Sequence, residues 1–157
     1  MKIRLIQVGK TTDSYLTNGI EKYKQRISRY ISFDIITIPE LKNTKKLSKE
    51  QQKQQEGELI IKKLLPSDNI VLLDENGKMY NSVQFANFIE KHMIQSTKQL
   101  VFIIGGPYGF SEEIYKKAIY RISLSAMTFS HQLIRLLFLE QLYRAHTIIK
   151  NEPYHHE

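Results

Sequence analysis

The chain has 157 residues and carries 23 Lys and Arg against 16 Asp and Glu, a formal charge of +7. Its composition, 41% hydrophobic and 25% charged, is that of an ordinary globular protein able to bury a core without cross-links. The sequence contains no cysteine, which excludes disulfides, Cys-ligated zinc, iron–sulfur clusters and thiol nucleophiles together. The opening MKIRLIQVGKTT is too short an apolar run for a signal peptide, and no stretch approaches the ~20 apolar residues of a membrane span. The expectation is a soluble, cytoplasmic protein folded as one domain over residues 1–157. Its positive charge favours a polyanionic partner, because lysines beside phosphates release counterions, although a solvated basic surface accounts for the same charge. Many lysines of the first half alternate with Gln or Glu at helical spacing and read as a solvated helix face.

Apolar runs alternate with amphipathic segments along the whole sequence. Ile3–Val8 predicts a strand and Asp13–Arg29 a helix capped by Asp13 or Ser14. Phe33–Ile38 is a second strand ended by Pro39, and Leu41–Lys46 is a polar, exposed loop. Ser48 has the chemistry of an N-cap for a helix reaching Leu65, with Pro66 as its stop. Asn69–Leu73 predicts a buried strand, followed by a turn at Asp74–Lys78. A helix over Ser82–Ile94, a strand over Leu100–Ile104 and a helix over Ser111–Ile119 come next, the last two joined by a Gly-rich turn at Gly105–Gly109. A short strand within Arg121–Ser125 precedes a final helix over Ser130–Lys150. Strands separated by helices, with unbroken apolar runs, specify an α/β fold with a mainly parallel sheet covered by helices on both faces.

Three segments carry possible chemistry. Gly9-Lys10-Thr11-Thr12 has the ending of a phosphate-binding P-loop, but that pattern needs a glycine at position 4, which is Arg4; nucleotide hydrolysis is rejected on this ground. Gly105-Gly106-Pro107-Tyr108-Gly109 lies between a strand and a helix, where adjacent glycines let the main chain approach a ligand closely. It lacks the G-x-G-x-x-G spacing of a dinucleotide site, so a nicotinamide enzyme is disfavoured. Leu124–Gln132 is a run of small and polar residues after a strand, where open α/β sheets hold ligands; a packed loop with Ser130 as helix cap explains the same composition. The final helix is apolar nearly all round, as expected of a core helix or of one shared with a second subunit. Its His131 and Arg135 share a face at i, i+4, as do Glu140 and Arg144, a pair read as structural. The histidines near the C-terminus lack the spacing of a metal site, and no metal is expected.

Taken together, MKIRLIQVGK, LLDENGK at Leu72–Lys78, IIGGPYG at Ile103–Gly109, SLSAMTFSHQLIR at Ser123–Arg135, LEQLYRA at Leu139–Ala145 and the terminal NEPYHHE resemble the ribosomal large-subunit methyltransferase H family of the SPOUT superfamily. The resemblance spans the chain, and the combination is specific although no single motif is. It implies a C-terminal trefoil knot, a feature that periodicity does not reveal. It implies a homodimeric enzyme that uses S-adenosylmethionine to methylate N3 of a pseudouridine in 23S ribosomal RNA on the assembled ribosome. By matching motifs, Leu73, Gly105 and the run Leu124, Ser125, Ala126, Met127, Thr128 and Phe129 hold the cofactor, with Gly106 adjacent. His131, Arg135, Arg144, Tyr154 and His155 are expected around the substrate, some contributed by the second subunit. Many members have Pro where this chain has Ser130; Pro suits a helix start and Ser a cap, so the helix should begin in the same place. The competing reading is a non-catalytic ribosome- or RNA-binding protein that uses its basic face alone.

Overall fold

Five strands form one sheet in the computed structural model, which describes residues 1–156. Glu157, the last residue of the NEPYHHE motif, lies outside the described residues. β1 (Lys2–Val8), β2 (Ser32–Ile38), β3 (Asn69–Met79), β4 (Gln99–Ile104) and β5 (Tyr120–Ser123) are ordered β2-β1-β4-β3-β5. Every neighbouring pair is parallel. The helices are α1 (Ser14–Ile27), α2 (Lys49–Ile61), α3 (Ser82–Ile94), α4 (Glu112–Lys117) and α5 (Leu133–Ile149). α1, α3 and α5 pack on one face of the sheet, while α2 and α4 pack on the other. The connections β1–α1–β2 and β3–α3–β4 move one way across the sheet on the first face. Those through α2 and α4 move the opposite way on the second, so all four crossovers share one hand.

Burial on both faces explains why β4 is an unbroken apolar run from Leu100 to Ile104 and why β1 is apolar at Ile3, Leu5, Ile6 and Val8. On the larger side, Phe102 of β4 meets Phe138 of α5 at a centroid distance of 4.8 Å, and Phe85 of α3 packs edge-on against both. All three rings are buried, and each contributes roughly 1.5–3 kcal/mol of transfer free energy. Ser48 and Asn81 form reciprocal capping boxes with Gln51 and Gln84, which fixes the starts of α2 and α3. α5 begins at Leu133, later than the expected Ser130, with Gln132 at its N-cap position; Ser130 ties down the turn before it, its Oγ accepting from Leu133 N at 3.1 Å and its carbonyl from Ile134 N at 3.0 Å. Among the described residues no helix is long and apolar enough to cross a membrane.

Two further expectations are corrected. α2 ends at Ile61, before Leu65, because the chain turns into β3 where Asp68 Oδ2 accepts from Leu65 N at 2.8 Å. The segment Asp74–Lys78 does not end its strand. Leu73 and Lys78 both align with Ile122 of β5, so the residues between them bulge out and pairing resumes at Met79 and Ser123. Gly77 makes the bulge possible, since a Cβ there would stand 2.6 Å from Ile122 N.

His146 is 2% exposed on the inner face of α5, and its ring stacks on Tyr30 at 5.6 Å. Burial, followed by the charge of Lys150, pushes its imidazole down to about 4. Between pH 6.5 and about 4 the unfolded chain therefore takes up a proton that the folded chain refuses, and stability falls as pH falls through this window. The effect is on the order of 3 kcal/mol and is fully present at the acid end. Urea unfolding at pH 7 and pH 4.5 should show a smaller acid loss for His146→Phe than for the wild type; equal losses would contradict the assignment.

Candidate functional site

The carboxyl ends of β3, β4 and β5 open onto a cleft of about 550 Å³. This is the position at which open α/β sheets take ligands, and the volume is that of a small-molecule site. Three segments wall it. The first is the β3 bulge, where Asp74 accepts from Asn76 N through Oδ1 at 3.0 Å and from the Tyr115 hydroxyl through Oδ2 at 2.8 Å. Burial, then the bond to Asp74, pushes the Tyr115 phenol up to about 12, so it stays protonated and donates. Neither residue was among the sequence candidates. An acid directly after an apolar strand at the sheet's ligand-binding edge was the available signal for Asp74.

The second wall is Gly105–Phe110, closed by a bond from Gly109 N to Gly106 O at 3.1 Å. A Cβ on Gly106 would collide with the carboxylate of Glu56, and one on Gly105 would stand 3.0 Å from Phe110. The main chain itself is therefore the cleft surface here. The third wall is the loop into α5. Ser123 Oγ donates to Ser125 O and Met127 N donates to Ser125 Oγ, both at 2.9 Å. These bonds turn Met127 outward at 76% exposure, with Phe129 beside it at 38%. Exposed large apolar groups at the rim of a cleft suit a ligand better than a core. Of the residues expected to hold the cofactor, Leu73, Gly105, Gly106, Leu124, Ser125, Met127, Thr128 and Phe129 line the cleft, and Ala126 does not.

The expected substrate group separates into three places. His131 lines the cleft. Arg135, expected beside the substrate, is wholly buried instead. It donates to Val8 O at 2.6 Å, Gly9 O at 3.0 Å and Thr11 Oγ1 at 3.0 Å. The loop after β1 has spare acceptors and a desolvated guanidinium needs them, so Arg135 fixes α5 to β1 rather than facing solvent. Gln132 clamps the same loop, accepting from Thr12 N at 3.1 Å and donating to Lys10 O at 3.0 Å. The Gly9–Thr12 segment is thus an anchor for α5.

Arg144, Tyr154 and His155 gather further along α5, roughly 20 Å from His131 at 1.5 Å per residue. Glu140, missed by the sequence reading as more than a structural partner, organises them. Its Oε1 accepts from Arg144 Nη2 at 2.6 Å and Nε at 3.1 Å, and from the Tyr154 hydroxyl at 3.2 Å. Arg144 also lies 4.8 Å over the Tyr154 ring, and its Nη1 is 3.2 Å from His155 Nδ1. Burial, then the contacts with Tyr23 and Glu140, pushes the Tyr154 hydroxyl well above its ordinary value. Among the described residues no group of three His, Cys, Asp or Glu side chains could hold a metal ion.

A sequence model of the family described as "Predicted SPOUT methyltransferase" matches residues 1–155. The chain belongs to the SPOUT methyltransferase family. Curated relatives include a ribosomal RNA large subunit methyltransferase H from Parabacteroides distasonis, 58% identical over the whole of both chains. Another of that name, from Phocaeicola vulgatus, is 60% identical over the whole of both chains. Among solved structures, a probable methyltransferase from Bordetella pertussis superposes with a TM-score of 0.59 at 10% identity, covering 92% of this chain and 94% of its own. A probable methylase family protein from Haemophilus influenzae gives 0.55 at 12% identity, covering 99% of this chain and 70% of its own. Those two likenesses concern the α/β architecture.

A methyl donor held in this cleft would lie against the glycine wall, which makes that wall the place to test. Gly106→Ala drives a Cβ into the Glu56 carboxylate and displaces the loop, so it should weaken S-adenosylmethionine binding at least tenfold in calorimetry while circular dichroism shows an unchanged fold. Unaltered affinity would contradict a donor site that depends on this wall.

Proposed function

We propose that the methyl acceptor is N3 of a pseudouridine in 23S ribosomal RNA, presented on the assembled ribosome in the cytoplasm, and that two copies of this one-domain chain (residues 1–157) form the working enzyme. The coarser activity, S-adenosylmethionine-dependent methylation of large-subunit ribosomal RNA, follows from the family and from full-length relatives 55% to 60% identical. The observation that carries the finer reading is the division of polar groups along α5. His131 stands at the cleft while Arg144, Tyr154 and His155 stand at the other end of the helix.

A two-fold dimer reunites them. In such an interface residue i meets residue j and j meets i, so antiparallel α5 helices bring one chain's Arg144–Tyr154–His155 group to the other's cleft. The outer face of α5 supports this, because Leu133 and Leu137 stay half-buried in the single chain while Phe138, Leu139 and Leu142 are buried. Family membership also supports a trefoil knot in the C-terminal part.

The chemistry of the cleft fits the cofactor: main-chain groups of Leu73, Gly105 and Gly106, the small residues of the Leu124–Phe129 loop, and the apolar Met127 and Phe129 would hold it. Bound there, S-adenosylmethionine supplies a methyl group on a sulfonium leaving group, open to in-line displacement by a nitrogen lone pair. The protein's task is to hold N3 in line and to take its proton. Tyr154 is unsuited to accept it, since its hydroxyl is held protonated and donates to Glu140. At His155 the Arg144 guanidinium only donates, so this partner assigns Nδ1 as acceptor and places the ring proton on Nε2. His131 is the remaining imidazole at the cleft and takes the N3 proton, while the partner's Arg144 favours the base in its anionic form. A purely RNA-binding protein would need the basic surface but not the glycine wall or this cleft.

The test uses ribosomes lacking the methyl group. His131→Ala and Tyr154→Ala should each lower kcat at least a hundredfold with S-adenosylmethionine affinity changed less than threefold. Unchanged turnover in either variant would remove that residue from the site.

A further inference from the structure

We infer that Lys42, Lys45, Lys46 and Lys49 grip the phosphodiester backbone of the RNA that carries the acceptor base; this rests on the ribosomal RNA methyltransferase reading above. All four are exposed, and no acidic residue lies between Leu41 and Lys49. Among the described residues none of the four forms an ion pair. Of the nearby carboxylates, Glu50 holds Lys53 at 2.6 Å, Glu56 is buried against Gly106, and Glu40 is exposed beside Gly9.

Position distinguishes this group from an ordinary solvated face. The single 3-10 turn Thr44–Lys46 and the Ser48 cap place the lysines at the start of α2. Lys49 Nζ lies 5.4 Å over the ring of Tyr108, and Tyr108 lines the methyl-donor cleft. The charge therefore continues directly from the rim of the site. Lys49 itself stands in the first turn of α2, where the helix end disfavours a cation, with Glu50 beside it complementing that end. A lysine kept there at the rim of the cleft fits a polyanion that the fold alone does not supply. A second exposed pair, Lys62 and Lys63, lies at the far end of α2, roughly 20 Å away along its axis, and provides the internal contrast.

Each lysine that neutralises a phosphate releases counterions, so log affinity against log salt concentration steepens by about 0.7–0.9 per contact. The experiment compares wild-type protein, K42Q/K45Q/K46Q/K49Q and K62Q/K63Q. It measures ribosome affinity across a potassium chloride series, methylation of ribosomes lacking the methyl group, and S-adenosylmethionine binding. The fourfold variant should flatten the salt slope by roughly 3 and lower kcat/KM at least tenfold, with methyl-donor affinity unchanged. K62Q/K63Q should shift the slope by less than about 1. An unchanged slope and kcat/KM in the fourfold variant would overturn the inference, as would an equal effect from K62Q/K63Q. Failure of the wild-type protein to methylate ribosomes would instead overturn the functional reading, and the salt slopes would still decide the role of the lysines.

Discussion

A guanidinium without access to water ties the start of α5 to the end of β1. Arg135 is completely buried; its Nη1 and Nη2 donate to Val8 O, Gly9 O and Thr11 Oγ1, while Nε has no hydrogen-bond partner. The two carbonyls lie where β1 runs out, so without Arg135 they too would lack their partner. Burial lowers the proton affinity of Arg135, with Glu40 acting in opposition, yet a guanidinium at such a site stays charged. The bonds make the first turn of α5 an extension of β1. One turn earlier stands His131 and next to Arg135 stands Ile134, both on the cleft. This wall of the cleft is thus set by an interaction that lies outside the cleft.

The other two walls obey the same logic of main chain held by remote groups. The glycine loop lies against Glu56 of α2, whose carboxylate burial pushes up, with Gln52 opposing and the charge of Glu40 reinforcing the rise. The β3 bulge is held by Tyr115 of α4 and by close approach of Gly77 to β5. Two walls are therefore braced by helices on one face of the sheet, α2 and α4, and the third by α5 on the other. That division follows from the strand order, since the connections leaving β3 and β4 cross opposite faces and open a crevice between them.

Much of this architecture was legible in the sequence because it depends on local pattern. The apolar runs at Ile3–Val8 and Leu100–Ile104 are strands, Ser48 is a cap, and Glu140–Arg144 is an i, i+4 pair. What was not legible depends on contacts distant in sequence. Asp74–Lys78 has turn composition, and Gly and Asn serve a bulge as well as a turn; only β5, reached after two helices, decides between them. Arg135 on an apolar helix resembles a functional cation until the carbonyls of Val8 and Gly9 come into view. Tyr154 and His155 join Glu140 and Arg144 only because the chain turns back after α5. The sequence motifs pointed to segments that the fold brings to one cleft or to the end of α5, whereas the contacts within them are set by packing.

The central claim is that one chain supplies the methyl donor and the other supplies the groups around the acceptor. Mixing two impaired variants, at a donor concentration too low to fill the Gly106→Ala cleft, tests it most directly: Gly106→Ala, defective in the cleft, and Tyr154→Ala, defective in the distant group. In a shared-site dimer, exchange of subunits leaves one intact site in each mixed pair, so the mixture should regain up to roughly a quarter of wild-type methylation. Activity no greater than the sum of the two variants alone, with mixed dimers shown to form, would contradict the account.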